Sequence, residues 1–276
     1  MNKKTKKTIS IVSKNILAWV FSLIMLTPLL LILINAFKPA EECFTLNFSL
    51  PSRITFENFT TVIEKGKLGR SFLNSFLYAG SATIITVLLG SMAAYIFSRR
   101  SSRLTKSVYM YVVLGIVIPI NYVALMKVMQ ITGLNNSRIG IILLYAAMQI
   151  PFTIFLIYGF ISKVPRDMDE AAVIDGCDPI RLFFRIIIPM IRPSMVTAGV
   201  LCFLNTWNEF VMPLYFLNSS EKWPMILAVY NFFGQFSKEW NLICADILLT
   251  CLPVIIMYIV CQKYIVGGQT AGAVKG

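Results

Sequence analysis

The sequence predicts an all-α membrane protein with six transmembrane helices and a helical loop on the cytoplasmic side. Composition is the first observation, because 57% of the 276 residues are apolar and only 14% are charged. Soluble domains have about 45–50% apolar and about 25% charged residues. The mean hydropathy of +0.73 is the second observation. A soluble domain of this composition would lack a polar surface, so the chain is predicted to lie in lipid.

The third observation is the length of the apolar stretches. A helix that crosses the hydrocarbon layer needs about 20 mostly apolar residues. Six stretches meet this length: 16–37, 75–98, 108–129, 139–162, 193–217 and 242–265. They form one predicted transmembrane domain, residues 16–265, between a basic tail at 1–15 and a short tail at 266–276.

The first apolar stretch follows five lysines, as in a signal peptide. The apolar region of a signal peptide is usually about 7–15 residues long. The longer run here predicts a span that is retained in the mature protein.

Several spans contain residues that bend or break helices: Pro28, Gly90, Pro119, Pro151, Pro213 and Pro253. Such residues are tolerated in membranes where neighbouring helices satisfy the freed backbone groups, and they often mark kinks beside cavities. Together they favour a transporter over a simple membrane anchor.

Lys and Arg counts predict the orientation of the spans. With both termini inside, 16 of the 25 basic residues lie in inner segments and nine in outer ones. Because basic residues accumulate in cytoplasmic loops, both termini are predicted to be cytoplasmic in a bacterial cell membrane.

Residue types argue against catalysis, metal binding and nucleic-acid binding. The chain has no histidine, which removes the commonest general base and zinc ligand. No two cysteines form a CxxC pair, and most lie in apolar stretches, so we interpret them as small apolar side chains. The net charge of +12 is spread over span ends and no soluble basic module is present, so nucleic acid is not an expected partner.

The segment 163–192 carries the strongest functional signal. Pro165 and the acids at 167–170 suit the start of a helix, and Gly176 suits a left-handed end. Asp178 and Pro179 repeat the start signal. Connections in helical bundles usually have about 2–8 residues, so this longer loop is predicted to dock a partner.

The second loop helix is predicted to have one apolar face. Its members recur at helical spacing: Ile180, Phe183, Phe184, Ile187 and Ile188. Arg181 and Arg185 would line the opposite side, and Pro189 and Pro193 are predicted to break the helix before the fifth span.

The loop resembles the EAA loop of bacterial ABC importer permeases, the binding-protein-dependent inner membrane family. Matching positions are Glu170, Ala171, Ala172, Gly176, Ile186 and Pro189. The single departure is Ile188 where the family usually has Leu. Further resemblance lies in LPSRITFENF (50–59), FLNS (72–75), FLNTWNEFVMPLYF (203–216) and TAGAVKG (270–276). The last two are similar to the carbohydrate-uptake branch that includes the smaller maltose-transporter permease.

This resemblance implies an ATP-driven sugar importer. The expected partners are a second, non-identical permease, an ABC ATPase dimer and an extracytoplasmic solute-binding protein, in addition to membrane lipid. No G-x-x-x-x-G-K-[ST] loop is present, so ATP and Mg would be bound by the ATPase and no cofactor by this chain. The resemblance makes Glu170 the anchoring carboxylate, although Glu170 could also only complement the helix dipole.

The remaining loop and tail assignments follow the same resemblance. The two alanines would allow close approach, Gly176 would set the turn, and Arg181 belongs to the coupling surface. In the tail, Thr270, Ala271, Gly272 and Lys275 would contact the ATPases, the alternative being an unstructured terminus.

Four polar or aromatic residues are candidates for the translocation pathway: Asn205, Trp207, Asn208 and Glu209. Polar side chains at membrane depth usually face the bundle interior or a cavity, and Asp246 is a further example. Trp207 could stack on a sugar or be a packing residue. The alternative function is an ion-gradient-driven secondary transporter, which would need buried charges in several spans and no docking loop; a membrane enzyme is the third class.

Overall fold

The structure, a computed structural model, describes residues 3–233 and 239–273, and most of these residues are helical. Five helices are long and apolar enough to cross a membrane: Val12–Ala36, Leu68–Arg99, Arg138–Ile161, Pro179–Trp207 and Trp240–Gln262. The helices in chain order are α1 Lys3–Ala36, α2 Glu57–Lys65, α3 Leu68–Arg99, α4 Arg103–Leu114, α5 Tyr122–Ile131, α6 Arg138–Ile161, α7 Asp167–Ile174, α8 Pro179–Arg181, α9 Ile188–Trp207, α10 Val211–Phe216, α11 Met225–Ala228 and α12 Trp240–Ala273. The predicted all-α membrane class is confirmed.

The third predicted span, 108–129, is not one helix. It is occupied by α4 and α5, which are separated by a non-helical segment at 115–121. Pro119 cannot donate a helical hydrogen bond. The Asn121 side chain then accepts a bond from Ala124 N at 3.0 Å and begins a new helix. The six-span count therefore stays a prediction.

The fifth span also differs from its prediction. The helix is not broken at Pro189 or Pro193. The helical segment Pro179–Trp207 runs through both prolines. Residues Leu182–Ile187 form a π-helix, in which Ile188 N bonds to Phe183 O five residues earlier. This wider turn lies directly before Pro189, at the point where an α-helix would lose a hydrogen bond.

The chain divides into two compact units. The first unit comprises residues 1–68 and 228–252. Its centre is Asn58, which donates to Ala36 O and Lys38 O at 2.8 Å each and accepts from Asn241 Nδ2 at 2.7 Å. One buried amide in α2 thereby ties together the end of α1 and the start of α12.

The Lys38 ammonium in this unit is fully buried and surrounded by oxygen atoms. Its Nζ lies 2.6 Å from Asn47 Oδ1, 3.1 Å from Asn35 Oδ1 and 3.2 Å from Ser49 Oγ. A buried charge is stable only when it is well solvated by neighbouring groups. The cage therefore fixes the segment 39–49 against the end of α1.

The second unit comprises residues 69–227 and 253–276. One apolar cluster of this unit is formed by α3, α6, α7, the π-helix and α9: Ala94, Ile154, Ile157, Ile161, Ala172, Leu182, Phe183, Ile187, Ile191 and Ala198. Helices α3 and α6 pack tightly at Gly90, where an added Cβ would lie 2.7 Å from Thr153 Cγ2.

Gly90→Ala is expected to destabilise the protein, because overpacking a helix contact costs about 1–3 kcal/mol. Gly80 on the same helix has no atom within 4 Å of an added Cβ and is the matched control. Gly80→Ala should be neutral or stabilising by up to about 1 kcal/mol. Thermal unfolding in detergent measures both variants. Equal midpoints for the two alanine variants would contradict the close helix contact.

Candidate functional site

The first loop helix, α7, has the predicted signals at both ends. It begins at Asp167 rather than at Pro165, with Arg166 as the N-cap, and its first turn contains Asp167, Asp169 and Glu170. It ends before Gly176, whose φ of +80° is left-handed as predicted. Cys177 N bonds to Ala172 O at 2.9 Å and closes the turn. Glycine is favoured here because other residues are strained at this φ.

The second predicted helix start, at Asp178 and Pro179, is also confirmed. Asp178 Oδ1 accepts hydrogen bonds from Ile180 N and Arg181 N, each at 2.9 Å. Pro179 occupies the first turn of α8. Arg181 forms an exposed ion pair with Asp178 at 3.3 Å.

The predicted apolar face of the second loop helix is wrong in part. Phe183 and Ile187 are buried, but Ile180 is 71% exposed and Phe184 is 46% exposed. Leu182, which lay outside the predicted face, is buried. A π-helix has more residues per turn than an α-helix, so counting at 3.6 residues per turn assigns the wrong face.

The loop therefore has a buried side and an exposed side. Ala172 on α7 is 5% exposed and belongs to the core cluster. Glu170 and Ala171 are exposed, and no hydrogen bond or ion pair joins the Glu170 side chain to any described residue. Six large apolar side chains of the loop are also exposed: Met168, Val173, Ile174, Ile180, Phe184 and Met190.

One contact of this loop was not predicted from the sequence. Arg99 at the end of α3 makes a two-pronged ion pair with Asp169, with Nε–Oδ2 at 2.6 Å and Nη2–Oδ1 at 3.2 Å. Tyr95 donates to the same Oδ2 at 3.1 Å. The only available signal was a basic residue at the predicted inner end of one span and an acid-rich helix start in another segment.

The four candidate pathway residues have different environments. Trp207 is 4% exposed and stacks on Phe203 with ring centres 5.5 Å apart, so its face is covered within this chain. Asn208 caps α9 through Leu204 O at 2.9 Å, and Glu209 Oε1 accepts from Val211 N at 2.8 Å. Asn205 is exposed. Of these four residues, Asn205 has the polar side chain most available to a solute or a partner subunit.

Other side chains near these residues were not singled out from the sequence. Phe72 and Phe76 lie one turn apart on α3 and contact Trp207 and Phe203, respectively, with ring centres 5.9 and 6.2 Å apart. Both phenylalanines are at least 40% exposed.

Asp246, the further polar residue named from the sequence, is 1% exposed, and its Oδ1 has no partner among the described residues.

The remaining site predictions are only partly covered by the structure. Thr270, Ala271 and Gly272 lie in the last turns of α12, and their side chains, like Lys275 as a whole, lie outside the described residues. Within the described part of the chain, no cluster of metal-ligating side chains was found.

Several long apolar helices, with a helical loop packed against their core, define a polytopic membrane protein. The chain belongs to the family of binding-protein-dependent transport system inner membrane components, whose model matches residues 86–266. It is therefore a transport permease that is held in the inner membrane by several helices.

Curated relatives and a solved structure agree with this family. A permease of the diacetylchitobiose uptake system of Streptomyces coelicolor is 34% identical over 92% of this chain and 86% of its own length. A melibiose, raffinose and stachyose import permease of Bacillus subtilis is 31% identical over 89% of this chain and 90% of its own. A chain of a bacterial ABC transporter that imports alginate has the same fold, with a TM-score of 0.82 at 22% identity over 96% of this chain and 99% of that one.

Proposed function

We propose that this chain is the permease subunit of an ATP-driven sugar importer, in which it forms half of the pathway and couples it to a separate ATPase. The observation that best supports this proposal is that the loop 163–192 has one buried side and one exposed side. Its buried side is part of the bundle core, and its exposed side presents the unpaired Glu170 among exposed apolar residues. An exposed apolar surface that also carries a charged group without an intramolecular partner is typical of a protein docking site.

The proposed occupant of this surface is one subunit of an ABC ATPase dimer. A charge-assisted bond from an arginine of that ATPase to Glu170 would fix the direction of docking. Arg181 and Gly176 would shape the rim, while Ile186 and Pro189 lie in the helix that continues into the membrane. ATP and Mg would be bound by the ATPase.

The proposed cargo class is carbohydrate. The relatives described above are permeases for diacetylchitobiose and for melibiose, raffinose and stachyose. The family description supports a solute-binding protein as the partner on the outer side. A second, non-identical permease would supply the other half of the pathway, to which Asn205, Trp207, Asn208 and Glu209 are proposed to contribute.

We propose that α4 and α5 cross the membrane together as one broken span. At 1.5 Å per residue they are about 18 and 15 Å long. Their sum is close to the ~30 Å thickness of the hydrocarbon layer. Six crossings would place both termini, the loop and the TAGAVKG tail on the cytoplasmic side, where that tail could contact the ATPases.

Gly176→Trp is expected to abolish co-purification with the ATPase subunit of the same transporter. Gly176 and Gly133 both have positive φ, +80° and +69°, and neither has an atom within 4 Å of an added Cβ. Both substitutions therefore introduce similar backbone strain, of order 1–2 kcal/mol. Gly133 lies in the turn after α5, on the proposed outer side, so Gly133→Trp is the matched control.

Retention of the ATPase by both variants would contradict docking at the loop. Sugar uptake into proteoliposomes distinguishes the ATP-driven importer from the alternative function, a secondary transporter. A chain that moves sugar on an ion gradient without ATPase or ATP would be a secondary transporter.

A further inference from the structure

Helix α3 is bonded to a different loop near each of its ends. Near the inner end, Arg99 and Tyr95 hold Asp169 of α7, and Arg99 Nη1 also donates to Val164 O at 3.0 Å. Near the outer end, Asn74 Nδ2 donates to Glu221 O at 2.9 Å and to Trp223 O at 3.1 Å. Tyr78 donates from its hydroxyl to Lys222 O at 2.9 Å.

The ion pair at the inner connection, between Arg99 and Asp169, is held more rigidly than the other ion pairs of the described chain. The side chains of Arg99 and Asp169 are only 13% and 14% exposed. Two parallel bonds fix the relative angle of the groups as well as their distance. By contrast, Arg70–Glu221 is a single contact with both side chains at least half exposed, and such pairs contribute little.

The outer connection is also well ordered. Asn74 is 4% exposed and Tyr78 is 1% exposed, and both bond to main-chain carbonyls of the segment 221–223. The two sets of bonds are about 38 Å apart along α3, at 1.5 Å per residue from Asn74 to Arg99. A single continuous helix therefore joins the loop 163–192, called the coupling loop below, to the segment 217–224, called the outer loop.

We propose that α3 transmits displacement of the coupling loop to the outer loop 217–224, with Arg99 and Asp169 as the inner joint and Asn74 and Tyr78 as the outer joint. This inference rests on the proposed function, because it takes α7 to be the segment that the ATPase moves. Arg99 and Asp169 are positioning residues in this account. They hold the loop to the helix and do not themselves touch the ATPase or the solute.

The test uses the whole transporter in proteoliposomes and measures sugar imported per ATP hydrolysed. Asp169→Asn keeps the side-chain shape but removes the charge. It is expected to retain the bound ATPase and its hydrolysis while lowering transport per ATP by about 2- to 30-fold, the range reported for residues within a coupling network. Arg99→Lys keeps the charge but loses the second bond, and an intermediate loss is expected. Asp167→Asn makes the same chemical change at an exposed acid in the first turn of α7 and should leave the ratio unchanged.

A double-mutant cycle with Asn74→Ala decides whether the two joints act together. Distant, independent sites give additive effects. If α3 transmits the movement, the Asp169→Asn, Asn74→Ala double variant will have a transport-to-ATP ratio close to that of the worse single variant. Multiplied losses, or an unchanged ratio in Asp169→Asn, would overturn the proposal. Loss of the ATPase from the parent complex would instead contradict the proposed function.

Discussion

Glu170→Ala is expected to weaken binding of the ATPase about 10- to 150-fold, because hydrogen bonds to charged groups contribute about 1.5–3 kcal/mol. The carboxylate lies in the first turn of α7, is exposed and has no partner among the described residues. Its removal therefore leaves no group of this chain unsatisfied. The measurement is the affinity of the detergent-solubilised permease for the ATPase, together with ATP-dependent uptake in whole cells.

The competing role of Glu170 is to complement the positive end of α7, which contributes only about 0.3–1 kcal/mol. Asp167 is the matched control, because it is an exposed acid in the same first turn. Asp167→Ala removes a similar interaction with the dipole but not the proposed anchor. Equal, small effects of the two substitutions would show that Glu170 serves the helix alone.

The positions of most spans could be predicted from the sequence, because a chain in hydrocarbon must satisfy its backbone polar groups internally. The stretch 139–162 corresponds to Arg138–Ile161, and 242–265 lies within Trp240–Ala273. The stretch 108–129 was wrong as a single helix, because length and hydropathy do not register local breaks. The break at 115–121 depends on Pro119 and on the Asn121 cap, which act over a few residues.

The turns of the loop 163–192 could be predicted from residue type. Gly176 and Asp178 act on their immediate neighbours, so residue type alone indicates their conformation. The π-helix was missed because an apolar pattern is read with a fixed period. The contact between Arg99 and Asp169 joins residues 70 positions apart, and no spacing rule reaches that far.

The pathway candidates show a second limit of sequence reasoning. A polar residue in an apolar stretch predicts a functional contact only if no local partner is available. Asn208 and Glu209 have such partners at the ends of α9 and α10, and the ring of Trp207 is covered by Phe203. A substrate role for these residues stays a prediction.

Lys38→Met is expected to release the segment 39–49 from the end of α1. The substitution removes the donor to three side-chain oxygens and one carbonyl, and each stranded buried polar group costs about 1–3 kcal/mol. Cys43 lies within this segment, is 2% exposed, and contacts Asn35. Its thiol should therefore change from unreactive to reactive.

Labelling of intact cells with a membrane-impermeant maleimide, followed by mass spectrometry of the peptide that contains Cys43, measures this change. Lys65→Met is the control, since Lys65 is an exposed lysine on α2 and the substitution removes the same charge without opening the cage. Cys43 should be labelled only in the Lys38 variant, because only there does the segment leave its buried position. The same reaction tests the topology: a thiol that becomes reactive in permeabilised cells but not in intact cells would place the loop after α1 inside. An unlabelled thiol in both preparations would show that the segment is held by contacts other than the Lys38 cage.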